Sequence, residues 1–342
     1  MSESIHTVEQ LESLLSTPTE DVIDGLRRLE GDILFLGVGG KMGPSLARMA
    51  KRAFEVARVK RQVFGVSRFS SADAATKLEA DGIKTIICDL LDEEQLNRLP
   101  EAPNVVFLAG MKFGSNGNEP LTWAMNSYLP ALVCRKFRRS RIVALSTGNV
   151  YGMVPTSGKG SKESDAPAPV GEYAMSCLGR ERIFEYFSRE LEIPVALIRL
   201  NYACDLRYGV LVDLAQRVWT NELVDLSMGH FNTIWQADAN IMTLLSFLHA
   251  TCPPRVLNVT GQKVLSVREV CERFGRLMNR DPKFSGDSVS TAFLSDAQQA
   301  FELFRPPRVD AEELIHWVAD WIMHDRPTLG KPTHFESRDG KF

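Results

Sequence analysis

The sequence has no run of about 18 apolar residues, no basic segment leading into an apolar core at its start, and no CxxC pair. Each absence excludes a class. Without a leader pattern or a spanning segment, neither export nor membrane insertion is indicated, and the expected compartment is the cytoplasm. Cys88, Cys134, Cys177, Cys204, Cys252 and Cys271 are scattered without metal-ligand spacing, so reduced thiols are expected and no metal site is. With 40 basic and 43 acidic residues and a net charge of −3, the chain carries no positive excess to hold a phosphate backbone, so nucleic acid is not an expected partner. Of its six histidines only His230 falls where a substrate could be met.

What is present is a globular chain of 342 residues, 44% hydrophobic, long enough for one large α/β domain with a smaller lobe. Ile5, Val8, Leu11 and Leu15, then Val22, Ile23, Leu26 and Leu29, fall on one face of two short helices, a packing extension over residues 1–30. From Asp32 short apolar runs alternate with longer amphipathic stretches: DILFLG, QVFGVS, KTIIC, NVVFLAG, RIVALS and PVALIRL, each separated by a helical pattern. Apolar strands alternating with helices predict a parallel sheet covered on both faces, the α/β doubly wound (Rossmann) fold. The expected nucleotide-binding domain spans 31–203 plus about 236–262, where RVLNVTG adds a strand. Residues 204–235 and 263–342 are expected to form the smaller substrate-binding lobe and tail.

The first strand runs into Gly37-Val38-Gly39-Gly40-Lys41-Met42-Gly43 and then into a helix. Glycines there turn the chain tightly, bring backbone N–H groups to a pyrophosphate and aim the positive helix end at it, the pattern of a dinucleotide site. The second strand closes in VSRFSS with no acidic residue for a free ribose 2′-hydroxyl. Ser67, Arg68 and Ser70 offer donors suited to a 2′-phosphate, so NADP is the preferred cofactor over NAD. Asp89, in CDLLD, stands where an adenine amino group can be met, and the small residues of LAG (108–110) let backbone approach the cofactor.

These motifs, taken in order over about residues 32–260, resemble the extended short-chain dehydrogenase/reductase family, the NAD(P)-dependent epimerase/dehydratase group. GVGGKMG fits its GxxGxxG turn, CDL its Asp-Leu pair (Asp89, Leu90), and LAG its fourth-strand end (Leu108, Ala109, Gly110). Asn126, STGNVYG at 146–152, Tyr173, RLNYA at 199–203 with Leu200, and WQADAN at 235–240 complete the series. The resemblance implies hydride transfer at a hydroxyl or carbonyl of a carbohydrate, as an oxidoreductase or an epimerase. Thr147 would hydrogen-bond the reacting oxygen, and Tyr173 would give or take the proton.

Two departures matter. Where the family's 4,6-dehydratases carry Asp-Glu after this threonine, the chain has Gly148-Asn149, neither of which can move a proton, so that elimination is not expected. Where the family has a lysine four residues after the tyrosine, the chain has Cys177, a weak donor without charge. A free tyrosine ionises near pH 10, so without help the tyrosinate lies about three units, roughly 4 kcal/mol, uphill at pH 7. Three readings stand open: another cation substitutes, with Lys112 in MKFGSNGNE the first candidate and Arg180 a surface salt-bridge residue; the enzyme runs as a reductase on neutral Tyr173; or the domain is a catalytically silent NADP-binding regulatory or interaction protein. Cys177 as a nucleophile lacks a neighbouring base and reads better as a buried filler.

On the substrate side, Asn201 matches a family position that contacts substrate, and Arg207 could fork a carboxylate or phosphate. With Lys112 it suggests an anionic sugar acid or nucleotide sugar, unless Arg207 pairs with Asp205 or Asp213. Trp235 could stack on a sugar face or be core. The tail LGKPTHFESRDGKF could line the lobe or reach a second subunit. The family's usual homodimer would use helices at about 120–138 and 171–190, where Leu129, Leu132, Val133, Ile183 and Phe187 would serve an interface or pack on the sheet.

Overall fold

The computed structural model describes residues 5–69, 72–112, 114 and 117–341. Its sheet has seven strands, β1 (Ile33–Leu36), β2 (Val63–Ser67), β3 (Lys84–Ile87), β4 (Asn104–Phe107), β5 (Arg141–Thr147), β6 (Val195–Leu200) and β7 (Arg255–Val259). They lie in the order β7-β6-β5-β4-β1-β2-β3, every pair parallel. This is the doubly wound Rossmann sheet. Leu36 stands opposite Val66 on one side and Phe107 on the other, so the strand order reverses at β1 and a crevice opens beyond its carboxyl end.

The unbroken apolar runs of β1 and β4 are buried on both faces, as strands sandwiched between helices must be. KTIIC departs from that expectation. It forms the sheet edge, where only one neighbour covers it, and Ile87 is 76% exposed.

The helices are α1 (Val8–Leu15), α2 (Glu20–Arg28), α3 (Gly43–Val56), α4 (Ala72–Ala80), α5 (Glu93–Asn97), α6 (Glu119–Trp123), α7 (Leu129–Lys136), α8 (Gly171–Leu191), α9 (Val210–Trp219), α10 (Gln236–Leu245), α11 (Val267–Met278), α12 (Gln298–Phe304) and α13 (Ala311–Met323). Thr7 and Gln10 close a capping box on α1, and Thr19 caps α2. Both helices pack on α3 and α10, and their leucines join one continuous core with the sheet and the lobe. On the opposite sheet face, Leu129, Leu132 and Val133 of α7 and Phe184 of α8 fill a second core. The first three therefore pack on the sheet, whereas Trp123, Tyr128 and Tyr186 of the same layer face outward. A π-helical turn, Ala124–Tyr128, joins α6 to α7 and buries Asn126. Such turns carry an extra residue and recur at functional sites.

The tail packs along the lobe. Leu329 N donates to Arg207 O at 2.9 Å, Thr333 to Asp213, and Arg338 to Ser227 O and Thr291. Phe335 is buried against Phe231. Among the described residues no helix is long and apolar enough to cross a membrane.

Candidate active site

The turn after β1 is pinned to the neighbouring strand: the N–H groups of Gly37 and Val38 both donate to Val66 O, at 2.8 and 3.0 Å. Gly37 sits at φ +88°, and a β-carbon there would lie 2.7 Å from the Ala109 nitrogen, so only glycine lets β1 and β4 close up at this point. α3 starts at Gly43, its positive end toward the turn.

Two recesses meet at Gly37, Gly40 and Leu108. One, of about 220 Å³, is lined by Ser67, Arg68, Asp89, Leu90, Ala109 and Gly110. The other, of about 300 Å³, is lined by Lys41, Met42, Gly43, Lys112, Thr147, Asn149, Tyr173, Leu200 and Asn201. A bipartite groove with a tight glycine turn and the start of α3 at its waist fits a dinucleotide, with the adenosine half among Ser67, Arg68 and Asp89 and the nicotinamide half beside Tyr173. Ser70 lies outside the described residues.

Thr147 ends β5 and caps the short turn Gly148–Val150, its Oγ1 accepting from Asn149 N at 3.2 Å and donating to Asn149 Oδ1 at 3.1 Å. Tyr173, in the first turn of α8, faces it across the cavity wall. Burial raises the Tyr173 hydroxyl well above the ordinary tyrosine range, and Cys177 adds to this, while Arg180 and a hydrogen bond with Thr147 act in the other direction. Lys112 lines the same cavity with its ammonium 5.9 Å from the Tyr173 ring centre, and burial lowers it to about 8. Lys41 stacks over the Tyr208 ring at 3.2 Å. Burial, then the nearby charges of Lys112 and Lys331, lower it to about 7.

Other expected site residues stand apart from the cavity. Cys177 is fully buried behind Tyr173 with Val150 and Tyr151, its thiol raised by burial. Gly148 is buried against Asn201 and Ser295. Asn126 lies under the wall, holding Met111 through both its N–H and C=O at 2.9 Å. Arg207 does not reach the cavity: it takes the pairing with Asp205, two residues before it, at 3.0 Å, and Glu12 of α1, also at 3.0 Å, ties it to the first helix. Trp235 is core, 2% exposed and edge-on to Trp317, since the start of α10 turns it inward. His230 sits in a short lobe strand away from the cavity lining. Arg180 is not a surface residue. It is 6% exposed and bonded to Leu145 O and Asn126.

Sequence reasoning missed Tyr202, Tyr208, Gln236 and Thr333, which also line it. The tyrosines follow RLN closely enough to be suspected. Thr333, in a tail without periodicity, gave no signal. Beneath the site Arg199 pairs with Glu181 at 2.6 Å and donates to the Tyr151 hydroxyl, which in turn donates to Asn258 Oδ1, while Ser146 donates to Glu181.

Fold and groove together define a dinucleotide-binding protein of the Rossmann class. Residues 33–203, half of the chain, match the family model described as the NAD dependent epimerase/dehydratase family. The chain belongs to that family, a family of enzymes. A comparison with curated proteins gives no match. Among solved structures, the UDP-glucose 4-epimerase of Thermotoga maritima with UDP-glucose is 17% identical, covering 86% of this chain and 99% of that one, with a TM-score of 0.69. The UDP-glucuronic acid 4-epimerase of Bacillus cereus with UDP-glucuronic acid and NAD is 16% identical (86% and 99% covered, TM-score 0.70). DesIV, a dTDP-glucose 4,6-dehydratase of Streptomyces venezuelae with NAD bound, is 16% identical (86% and 97%, TM-score 0.73). These are likenesses of fold.

Proposed function

We propose that the protein is an NAD(P)-dependent enzyme that oxidises, reduces or epimerises a hydroxyl or carbonyl of an acidic carbohydrate, a sugar acid or nucleotide sugar, with Tyr173 and Thr147 handling the proton. The observation that carries this reading is their meeting in one cavity wall beside the glycine turn. Bound in the groove, the nicotinamide supplies the hydride acceptor or donor. Thr147 Oγ1 can hold the reacting oxygen. Tyr173, kept neutral at pH 7, is set to donate its proton to a carbonyl oxygen, the reductive direction. Lys112 is the cation nearest the substrate side of the ring. Two lysines and no carboxylate among the described lining residues support an anionic substrate, and the similar structure holding UDP-glucuronic acid agrees in chemistry. Ser67 and Arg68, with no acidic residue at the end of β2, support NADP as the better cofactor, although the similar structures hold NAD. All six cysteines are unpaired thiols, in keeping with a cytoplasmic setting. A homodimer through the face bearing Trp123, Tyr128 and Tyr186 is part of the same reading.

The test is to titrate the protein with NADP⁺ and NAD⁺, then screen aldoses, aldonates, uronates and nucleotide sugars by nicotinamide absorbance and by chromatography for epimers. Tyr173→Phe should lose about 10²–10⁴-fold in turnover while keeping its cofactor affinity. Unchanged turnover in that variant ends the enzymatic reading of Tyr173 and leaves a cofactor-binding protein without this chemistry.

A further inference from the structure

α8 carries Tyr173, Cys177 and Arg180 on one face, at spacings of four and three residues. Along the axis Arg180 lies about 10 Å beyond Tyr173, two turns of helix. Side chains on a helix lean back over the preceding turn, however, and arginine is long enough for its guanidinium to sit at the level of Cys177. Its bonds fix where it lies. Nη1 donates to Leu145 O at 2.7 Å, two residues before Thr147 on β5. Nη2 donates at 2.6 Å to Asn126 Oδ1, the same oxygen that accepts from Met111 N beside Lys112. A β-carbon on Gly110 would lie 2.4 Å from Nη2, so the guanidinium presses directly beneath the backbone that walls the cofactor groove.

Both acceptors are neutral oxygens. The adjacent carboxylate, Glu181, is already engaged by Arg199 at 2.6 Å and by Ser146. The guanidinium is thus a permanent positive charge, nearly excluded from water, with no contacting carboxylate among the described residues. Charged and titratable groups around Tyr173 are Cys177 and Arg180 on its own helix, Lys112 on the loop after β4, Lys41, Tyr202 and Tyr208 in the same cavity lining, and the paired Glu181 and Arg199 with Tyr151 behind. Burial raises both Tyr173 and Cys177, and the charge of Arg180 is the largest influence drawing each of them down.

We propose that Arg180 is a positioning residue of the active site. Its buried guanidinium supplies, from one turn further along α8, the positive charge that a lysine at position 177 would supply. It stabilises negative charge on the Tyr173 oxygen and ties the strand of Thr147 to the loop of Lys112 through Leu145 and Asn126. The inference rests on Tyr173 as the proton-transfer group.

The two ideas can be tested apart. Protein labelled with ¹³Cζ-tyrosine has only six such signals, and loss of one in Tyr173→Phe assigns it. In the NAD⁺ complex the wild-type Tyr173 signal should titrate at least one pH unit, tenfold in proton affinity, below that of Arg180→Met. Cys177→Lys placed in the Arg180→Met background should restore the lower titration, a rescue that a purely structural arginine would not allow. If Arg180→Met does not fold, Cys177→Lys alone decides: two cations at one buried spot should lower Tm and weaken NAD⁺ binding, and an unchanged Tm with an unchanged Tyr173 titration overturns the proposal. So does a Tyr173 that titrates alike with and without Arg180. Turnover surviving Tyr173→Phe sinks the proposed function instead.

Discussion

Lys41 and Lys112 hold their charges inside a cavity where burial works against them, to about 7 and about 8. Each is cationic below its value and neutral above it, so an acidic substrate should be captured best under pH 7. Its kcat/KM, which reports the free enzyme, should fall as pH rises from about 7 to about 8. A neutral analogue run on the same enzyme should show no such limb. If both profiles coincide, the lysines do not read substrate charge. Arg68 addresses the other end of the groove: Arg68→Ala should weaken NADP⁺ by about tenfold or more, the worth of one charge-assisted hydrogen bond, and leave NAD⁺ unchanged in parallel fluorescence titrations. At this scale the sequence was legible where a residue's place follows from its motif, as for Gly37 in the turn and for Tyr173 and Thr147 on one cavity. It misled where the role depends on which way a side chain leans. Arg180 was expected at the surface and is buried, and Lys41, expected in the glycine turn, reaches over Tyr208 into the cavity lining, whereas Arg207 takes one of the two pairings left open, that with Asp205.

The elements were read from apolar runs, and those that bury both faces were plain. β3 was the exception, because an apolar run says nothing about whether a second neighbour will cover it. The π-helical turn at Asn126, the helix α12 and the short lobe strands were invisible for a different reason: they are set by contacts with distant segments rather than by local periodicity. The same holds for the pair Glu181–Arg199, which joins α8 to β6 under the site with side chains about 3 and 5% exposed. Removing one partner strands a buried charge. Glu181→Ala should therefore cost about 3–5 kcal/mol, measured by urea denaturation. The double replacement of Glu181 and Arg199 by apolar residues of similar volume should cost less than the single one. A loss below about 1 kcal/mol for Glu181→Ala would match a solvated pair instead.

For the molecule as a whole, the notable connection is that the cavity wall is assembled from segments far apart in the chain. Asp213 on α9 accepts from both the N–H and the hydroxyl of Thr333, at 2.8 and 2.6 Å, and so holds the tail against the cavity. Asp213→Asn should release that hold and raise KM about tenfold, within the worth of a hydrogen bond to a charged group. NADP⁺ affinity should change less, since the adenosine-side recess has no tail residue among its described lining. An unchanged KM would make the tail a passive covering.

That division has a consequence in time. A polypeptide grows from its N-terminus, and residues 33–203 supply the glycine turn, both adenosine-side strand ends, Thr147 and Tyr173. A nascent chain can thus complete the adenosine half of its nucleotide groove while the segment bearing Thr333 is still unmade.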